Sequence, residues 1–305
     1  MIYTVTMNPS LDYVATIPAW KMGSVNRPEE EAWHPGGKGV NVSIMLTRLG
    51  MANRALGFVA GYTGERIQSM LLQEGCSTAF VRLDKGDSRI NIKIKTDCPT
   101  EINGIGPPVP ACAVEALLKQ VEDLDDGDTL VLAGSVPPAL PSNMYERILH
   151  KTKGKAIRVV VDAAGELLMK TLPFRPFLIK PNQHELGDLF GVTVDHVEQA
   201  EYYGRRLQAM GAQNVLVSLA EKGAWLLDET GRGHRTVPPV GQAVNAVGAG
   251  DSMVAGFLFG WMQSGDYKTA LEVGVAAGSA TAFDSWLAQK QGIRALLKNP
   301  DVYGL

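Results

Sequence analysis

The most regular pattern in the chain is Ser88-Arg-Ile-Asn-Ile-Lys-Ile-Lys95, where Ile90, Ile92 and Ile94 alternate with Arg89, Asn91, Lys93 and Lys95. A period of two predicts a half-exposed strand with one apolar and one basic face. Residues 12–17 alternate in the same way, with Asp12, Val14 and Thr16 set against Tyr13, Ala15 and Ile17. Together with 28–34 and a turn and short strand over 99–107, these segments predict a small sheet standing outside a larger one. Elsewhere the spacing predicts strands at 2–6, 55–60, 78–83, 128–133, 156–162, 177–180 and 214–219. Helices are predicted from the turn at 36–41 to about 48–50, and at 65–73, 111–122, 142–151, 182–190 and 195–210. Strands separated by helices imply parallel pairing in a layered α/β fold. A meander near 223–228 and 233–238 follows. Apolar residues at 253, 254, 257, 258, 261 and 262 then mark one face of a helix. The last two predicted helices, 249–263 and 267–284, carry Gly274, Ala276, Ala277, Gly278 and Ala280, small enough for close backbone packing.

Composition narrows the function. With 305 residues and 45% hydrophobic content the chain can bury a sizeable core. A net charge of −3 without any Lys/Arg run speaks against a nucleic-acid or membrane surface, so recognition of anions must be local. Cys76, Cys98 and Cys112 are odd in number and widely spaced, which fits reduced thiols rather than a disulfide framework or a zinc site. The N-terminal residues read as a strand, not an export signal, and the longest apolar run is too short for a bilayer. The expectation is a cytoplasmic protein.

Candidate chemistry concentrates in two glycine-rich turns. Gly248, Ala249 and Gly250 precede Asp251 and open the helix at 249–263. The first N–H groups of a helix lack internal partners and lie at its positive end, which makes this turn an anion site. An acid there would repel a bound phosphate, but it suits a base that takes a proton from a hydroxyl attacking that phosphate. A plain helix cap is the competing reading of Asp251. Gly36-Gly-Lys-Gly-Val-Asn41 repeats the device with Gly36, Gly37 and Lys38, although the spacing is not that of a P-loop. Alone it is equally a tight turn with a solvated lysine. Asp12 and Asn41 offer groups for sugar hydroxyls, and Arg89 offers a fork for a phosphate; a solubilising acid and an unpaired surface arginine are the alternatives. Asn182 and Glu185 have the spacing of a reciprocal cap. Yet they follow Lys180 at a strand end, where α/β proteins gather ligands, and Glu185 suits Mg²⁺ held through water. No histidine pair has metal spacing.

With both turns in view, the sequence resembles the PfkB (ribokinase-like) family of sugar kinases over essentially the whole chain. Gly36-Gly-Lys-Gly-Val-Asn41 looks like the first family signature and Val247-Gly-Ala-Gly-Asp-Ser252 like the second, about 210 residues later. The blocks beginning at Thr6, Ala133, Lys180 and Val217 are also similar. Arg89–Lys93 and Thr100–Pro107 place the likeness in the phosphosugar branch. The resemblance implies a three-layer α/β/α sandwich with a mainly parallel central sheet. It further implies one kinase domain, 1–305, with β-lid strands inserted at about 12–34 and 88–106, and a homodimer formed through the lid. Asp251 would be the base, with Gly248, Ala249 and Gly250 as the anion hole. Asp12, Gly36, Gly37 and Asn41 would hold sugar hydroxyls, while Lys38 and Arg89, assisted by Ser135, would hold the phosphate already on the sugar. ATP and Mg²⁺ would lie against Lys180, Asn182, Glu185 and the run Ser218, Leu219, Ala220, Glu221, Lys222 and Gly223. The chain departs from the family at Ala220, where many relatives have glycine, at Asn245-Ala246, which replaces Asp-Thr or Ser-Thr, and at Ala139.

The expected reaction is phosphorylation of fructose 1-phosphate to fructose 1,6-bisphosphate by ATP. Tagatose 6-phosphate and fructose 6-phosphate are the alternative acceptors, and a non-catalytic sugar-phosphate sensor is the alternative of another class.

Overall fold

The computed structural model describes residues 1–298 and 300–305. In chain order its elements are β1 (Ile2–Thr6), β2 (Ser10–Thr16), β3 (Glu30–Gly36), α1 (Lys38–Arg48), β4 (Asn53–Ala60), α2 (Gly61–Gln73), β5 (Ser77–Thr78), β6 (Val81–Leu83), β7 (Arg89–Lys95) and β8 (Thr100–Asn103). Next come α3 (Ala111–Glu122), β9 (Thr129–Ala133), α4 (Met144–Lys151), β10 (Arg158–Asp162), α5 (Gly165–Met169), β11 (Leu178–Ile179), α6 (Gln183–Phe190) and α7 (Val197–Ala209). The chain finishes with β12 (Asn214–Ser218), β13 (Ala224–Leu227), β14 (Gly233–Thr236), α8 (Ala249–Ser264), α9 (Tyr267–Ala282) and α10 (Lys290–Leu296).

The large sheet runs β14-β13-β12-β11-β10-β9-β1-β4-β5, with β6 paired to β4, and is parallel except where β13 and β14 return as an antiparallel meander. Its central strands are buried on both faces, as a sheet covered by helices on each side requires. In β9, Val131 and Ala133 join a core with Ile44 of α1, Phe257 of α8 and Val273 of α9, while Leu130 and Leu132 join the opposite core with Leu117 of α3, Ile148 of α4 and Leu207 of α7. That alternation produces the three layers. Among the described residues no helix is long and apolar enough to cross a membrane.

A second sheet, β3-β2-β7-β8, forms a lid. Its alternation is as predicted, and the polar side is the one turned to the body: Asn91 is 6% exposed, whereas Ile90 on the other face is 40% exposed. Four segments differ from the pattern reading. The strand expected at 78–83 is split into β5 and β6. The helix expected from 65 begins at Gly61, because its first donors are satisfied from afar: Tyr62 N–H donates to Asp87 Oδ1 at 2.9 Å and Ala60 N–H to Ser88 Oγ at 3.0 Å. No local cap marked that start. Short α5 and α10 had no periodic signal. Asp162, Lys180 and Ser218 all lie at or just past the C-terminal ends of parallel strands, the edge where such sheets place their ligands.

Candidate active site

Helices α1 and α8 both start at this edge, and each is entered through a glycine with positive φ, Gly37 at 112° and Gly248 at 80°. Other residues adopt that backbone region at a steric cost, and a Cβ on Gly248 would lie 2.5 Å from Leu287 Cδ2. Neither N-cap has a side-chain hydrogen bond. At α8, Ala249 N–H makes only a long 3.4 Å contact with the Ala246 carbonyl. The leading amides of α8 are thus available to an anion.

The two turns meet over a cleft of about 450 Å³ between sheet edge and lid, into which Gly250 and Asp251 face together with Asp12, Gly37, Lys38, Asn41 and Arg89. Lys180, Asn182, Glu185 and Ser218 line it as well. The carboxylate of Asp251 accepts a 2.7 Å hydrogen bond from the Asn41 amide, across 210 residues of sequence. It reaches the other glycine-turn helix instead of capping its own. Asp251 is 5% exposed. Burial, and next the charge of Asp162, push its carboxyl up to about 6, against the opposing pull of Asn41, Lys38 and Lys180.

Asp162, fully buried, lies under the cleft with Lys38 Nζ 3.1 Å from Oδ1 and Lys180 Nζ 3.4 Å from Oδ2. Burial works against its ionisation, but the two ammonium groups outweigh it and hold the carboxyl below its ordinary range. For Lys38, burial disfavours the cation, yet Asp162, Asp251 and Glu185 together raise its ammonium above the usual value.

On the lid side Asp12 is clamped by Lys93 Nζ at 2.7 Å on one oxygen, and by Ser10 Oγ at 2.6 Å and Asn91 Nδ2 at 3.0 Å on the other. It is a buried, networked acid, not a solubilising one. Gly36 packs directly behind it, since a Cβ there would stand 2.5 Å from Asp12 Oδ1. Asn91 also lines the cleft, and its Oδ1 is buried without a partner among the described residues. Arg89 donates from Nε to the Asn8 carbonyl at 3.0 Å. With Lys38 it borders an adjoining recess of about 650 Å³ that brings in Ser135, so the three groups expected at a sugar phosphate share one space.

The nucleotide-side residues are less tightly grouped. Ser218 lines the cleft, whereas Leu219 turns into the core and Lys222 donates to the Asp195 carbonyl at 2.7 Å. Ala220, Glu221 and Lys222 form a 3-10 turn closed by Gly223. Ala220 sits at φ 50°, in the left-handed region that glycine adopts at the least cost. Asn182 and Glu185 form a reciprocal cap: Asn182 Oδ1 accepts from His184 and Glu185 N–H, and Glu185 Oε2 accepts from Asn182 N–H at 2.8 Å. Glu185 Oε1 accepts no hydrogen bond from the described residues and lies 3.9 Å from Lys38 Nζ. Among those residues no group of three or more His, Cys, Asp or Glu side chains could hold a metal. Mg²⁺ takes few carboxylates and keeps most of its waters, so a carboxylate oxygen without a hydrogen bond at the edge of the cleft fits an ion held through water.

Pattern reading did not single out Asp162, Asn91 or Lys93 as site residues. Asn91 and Lys93 share the polar face of β7 with Arg89, a usable signal once the inward face is known. Asp162 merely ends an apolar strand.

A model of the pfkB family of carbohydrate kinases matches residues 5–287. The chain is 46% identical over 297 residues to a 1-phosphofructokinase of Bacillus subtilis (strain 168), with 97% of each chain covered. It is 35% identical to a D-tagatose-1-phosphate kinase of Bacillus licheniformis, with 94% of each covered. Phosphofructokinase-2 from Escherichia coli, solved in complex with substrates and products, superposes with a TM-score of 0.90 at 29% identity over 97% of both chains.

Proposed function

The chain belongs to the pfkB family of carbohydrate kinases, and we propose that its reaction is transfer of the terminal phosphoryl group of ATP to fructose 1-phosphate, giving fructose 1,6-bisphosphate and ADP. One observation carries the reading: a buried carboxylate, Asp251, faces the cleft at the start of a helix whose leading amides are not capped. In the proposed step the sugar C6 oxygen attacks the γ-phosphorus while its proton passes to Asp251. The bond from that phosphorus to the β–γ bridging oxygen breaks, and ADP leaves with the bond's electrons. The amides of Ala249 and Gly250 receive the charge that develops on the phosphoryl oxygens, the main task for a protein in phosphoryl transfer. Asn41 aims the carboxylate. A base titrating near 6 is ionised at neutral pH yet still basic enough to accept the proton.

Asp12, Gly37 and Asn41 bind the sugar hydroxyls in this account. Lys38, Arg89 and Ser135 take the phosphate on C1. Lys180, Asn182 and Ser218 face ATP. Glu185 would hold Mg²⁺ through water, and the ion would offset phosphate charge. The outer lid face, with Ile90 and Ile102 exposed, supports pairing with the lid of a second copy; a monomeric mass by light scattering would remove that part.

A 6-phosphosugar acceptor is the second reading, favoured by the likeness to phosphofructokinase-2, for which a complex with fructose 6-phosphate is known. ADP release measured against fructose 1-phosphate, fructose 6-phosphate and tagatose 6-phosphate separates them. The expected result is the highest kcat/KM with fructose 1-phosphate. Preference for either 6-phosphate overturns the choice of acceptor, and binding without ADP release from any of the three would leave only a sensor.

A further inference from the structure

We propose that Asp162 is a positioning residue for phosphoryl transfer, holding the ammonium groups of Lys38 and Lys180 on its two oxygens so that both are aimed into the cleft before either phosphate arrives. The inference rests on the kinase reading above. Its geometry is specific. Lys38 reaches Asp162 from the first glycine turn, on the acceptor side; Lys180 reaches it from beyond β11, on the nucleotide side. Lys180 Nζ also stands against the second glycine turn, 3.0 Å from where a Cβ on Gly250 would be. One buried carboxylate therefore spans the two halves of the cleft.

Two long flexible side chains would otherwise sample many rotamers, and fixing them in advance removes that entropy from the binding step. The pairing is also easily surrendered. Oδ2 of Asp162 is buried and has no hydrogen bond, only the 3.4 Å approach of Lys180, so an incoming phosphate oxygen offers that ammonium a stronger partner. Lys38 at 3.1 Å is held more closely and has Glu185 as its other carboxylate neighbour.

A second consequence follows from charge. The groups acting on Asp251 are Asp162 from the end of β10, Lys38 and Asn41 from α1, and Lys180 from beyond β11. Asp162 is the acid among them, and its removal leaves Asp251 facing cations alone. Asp251 should then ionise more readily, and the acid limb of the kcat/KM profile should move to lower pH. A residue that only filled space would not shift that limb.

The test is Asp162→Asn in the full chain, assayed beside the wild type with ATP and fructose 1-phosphate. KM is expected to rise for both substrates and kcat/KM to fall on the order of 10²-fold, as for other misplaced positioning groups, with the acid limb displaced downward in pH. A carboxyl-carbon NMR titration of Asp251 in the unliganded protein reads the same link without turnover. It thus separates failure of this proposal from failure of the kinase reading, which an inactive wild type would reveal. Should loss of the charge prevent folding, Asp162→Asn combined with Lys180→Gln leaves one cation, Lys38, beside the lost carboxylate, and Lys38 keeps Glu185 as a neighbour at 3.9 Å. Its limb should lie at lower pH than that of Lys180→Gln alone, because the two variants differ only in the charge of Asp162. Unchanged KM values in Asp162→Asn, or an Asp251 titration that does not move when the charge of Asp162 is removed in whichever background folds, overturn the proposal.

Discussion

Helices α6 and α8 start on the same edge of the same sheet, and each places an acid at its third position, Glu185 in one and Asp251 in the other. Their uses are opposite. In α6 the N-cap is Asn182, whose side chain binds the leading amides, and Glu185 reaches back to complete the cap. In α8 the N-cap is Gly248, no side chain closes the turn, and Asp251 is drawn away by Asn41. A helix start satisfied by its own side chains adds stability; one left open, with its acid turned into a cleft, stores binding capacity for an anion. The difference lies in the residue preceding the helix and in a partner 210 residues distant, not in the acid itself.

The largest effect expected from breaking this contrast is at Asp251. Asp251→Asn should lower kcat on the order of 10²–10⁴-fold, the usual worth of a general base, with the KM for fructose 1-phosphate largely kept. The same substitution should stabilise the fold at neutral pH. The folded carboxyl is raised from 3.8 to about 6, so its contribution is fully present below 3.8 and is lost as pH rises through about 6. An amide there avoids the loss, and a gain on the order of 1–3 kcal/mol is expected at pH 7 by urea unfolding. Loss of activity together with loss of stability would mean that Asp251 is structural.

At α6 the expectation reverses. Asn182→Ala should cost about 1 kcal/mol of stability, the ordinary worth of a cap, and, because Asn182 lines the cleft and holds Glu185, should raise the KM for ATP more than it lowers kcat. A collapse of kcat with unchanged melting would assign this helix start to the chemistry. The smallest effect concerns the turn at Ala220, whose φ of 50° disfavours a Cβ. Ala220→Gly should stabilise by less than about 1 kcal/mol, and a drop in melting temperature would show that the methyl group matters more than the strain.

Much of this was legible in residue patterns, and the exceptions have physical causes. The alternation over 88–95 disclosed a two-faced strand, but not that its polar face would be covered. Orientation depends on the polar cleft beneath the lid, where Asp12 finds Lys93, Ser10 and Asn91. The two glycine turns announced helix starts without side-chain caps, yet cap and base were equally good readings of Asp251, and the Asn41 contact removes the cap. Asn182 and Glu185 carried their cap openly, because that interaction spans three residues. Asp162 had no such local signature: its lysines come from positions 38 and 180, and only the strand order places them on one carboxylate. Likewise α2 begins early because its caps, Asp87 and Ser88, lie far along the chain.

The central claim, that Asp251 is the base at an open helix start, is tested most directly by the pH dependence of kcat/KM for fructose 1-phosphate. The account predicts a single-proton fall on the acid side with an apparent midpoint near the carboxyl's value of about 6. In Asp251→Asn that limb should be missing from the residual activity. An acid limb that persists unchanged in Asp251→Asn would contradict the claim.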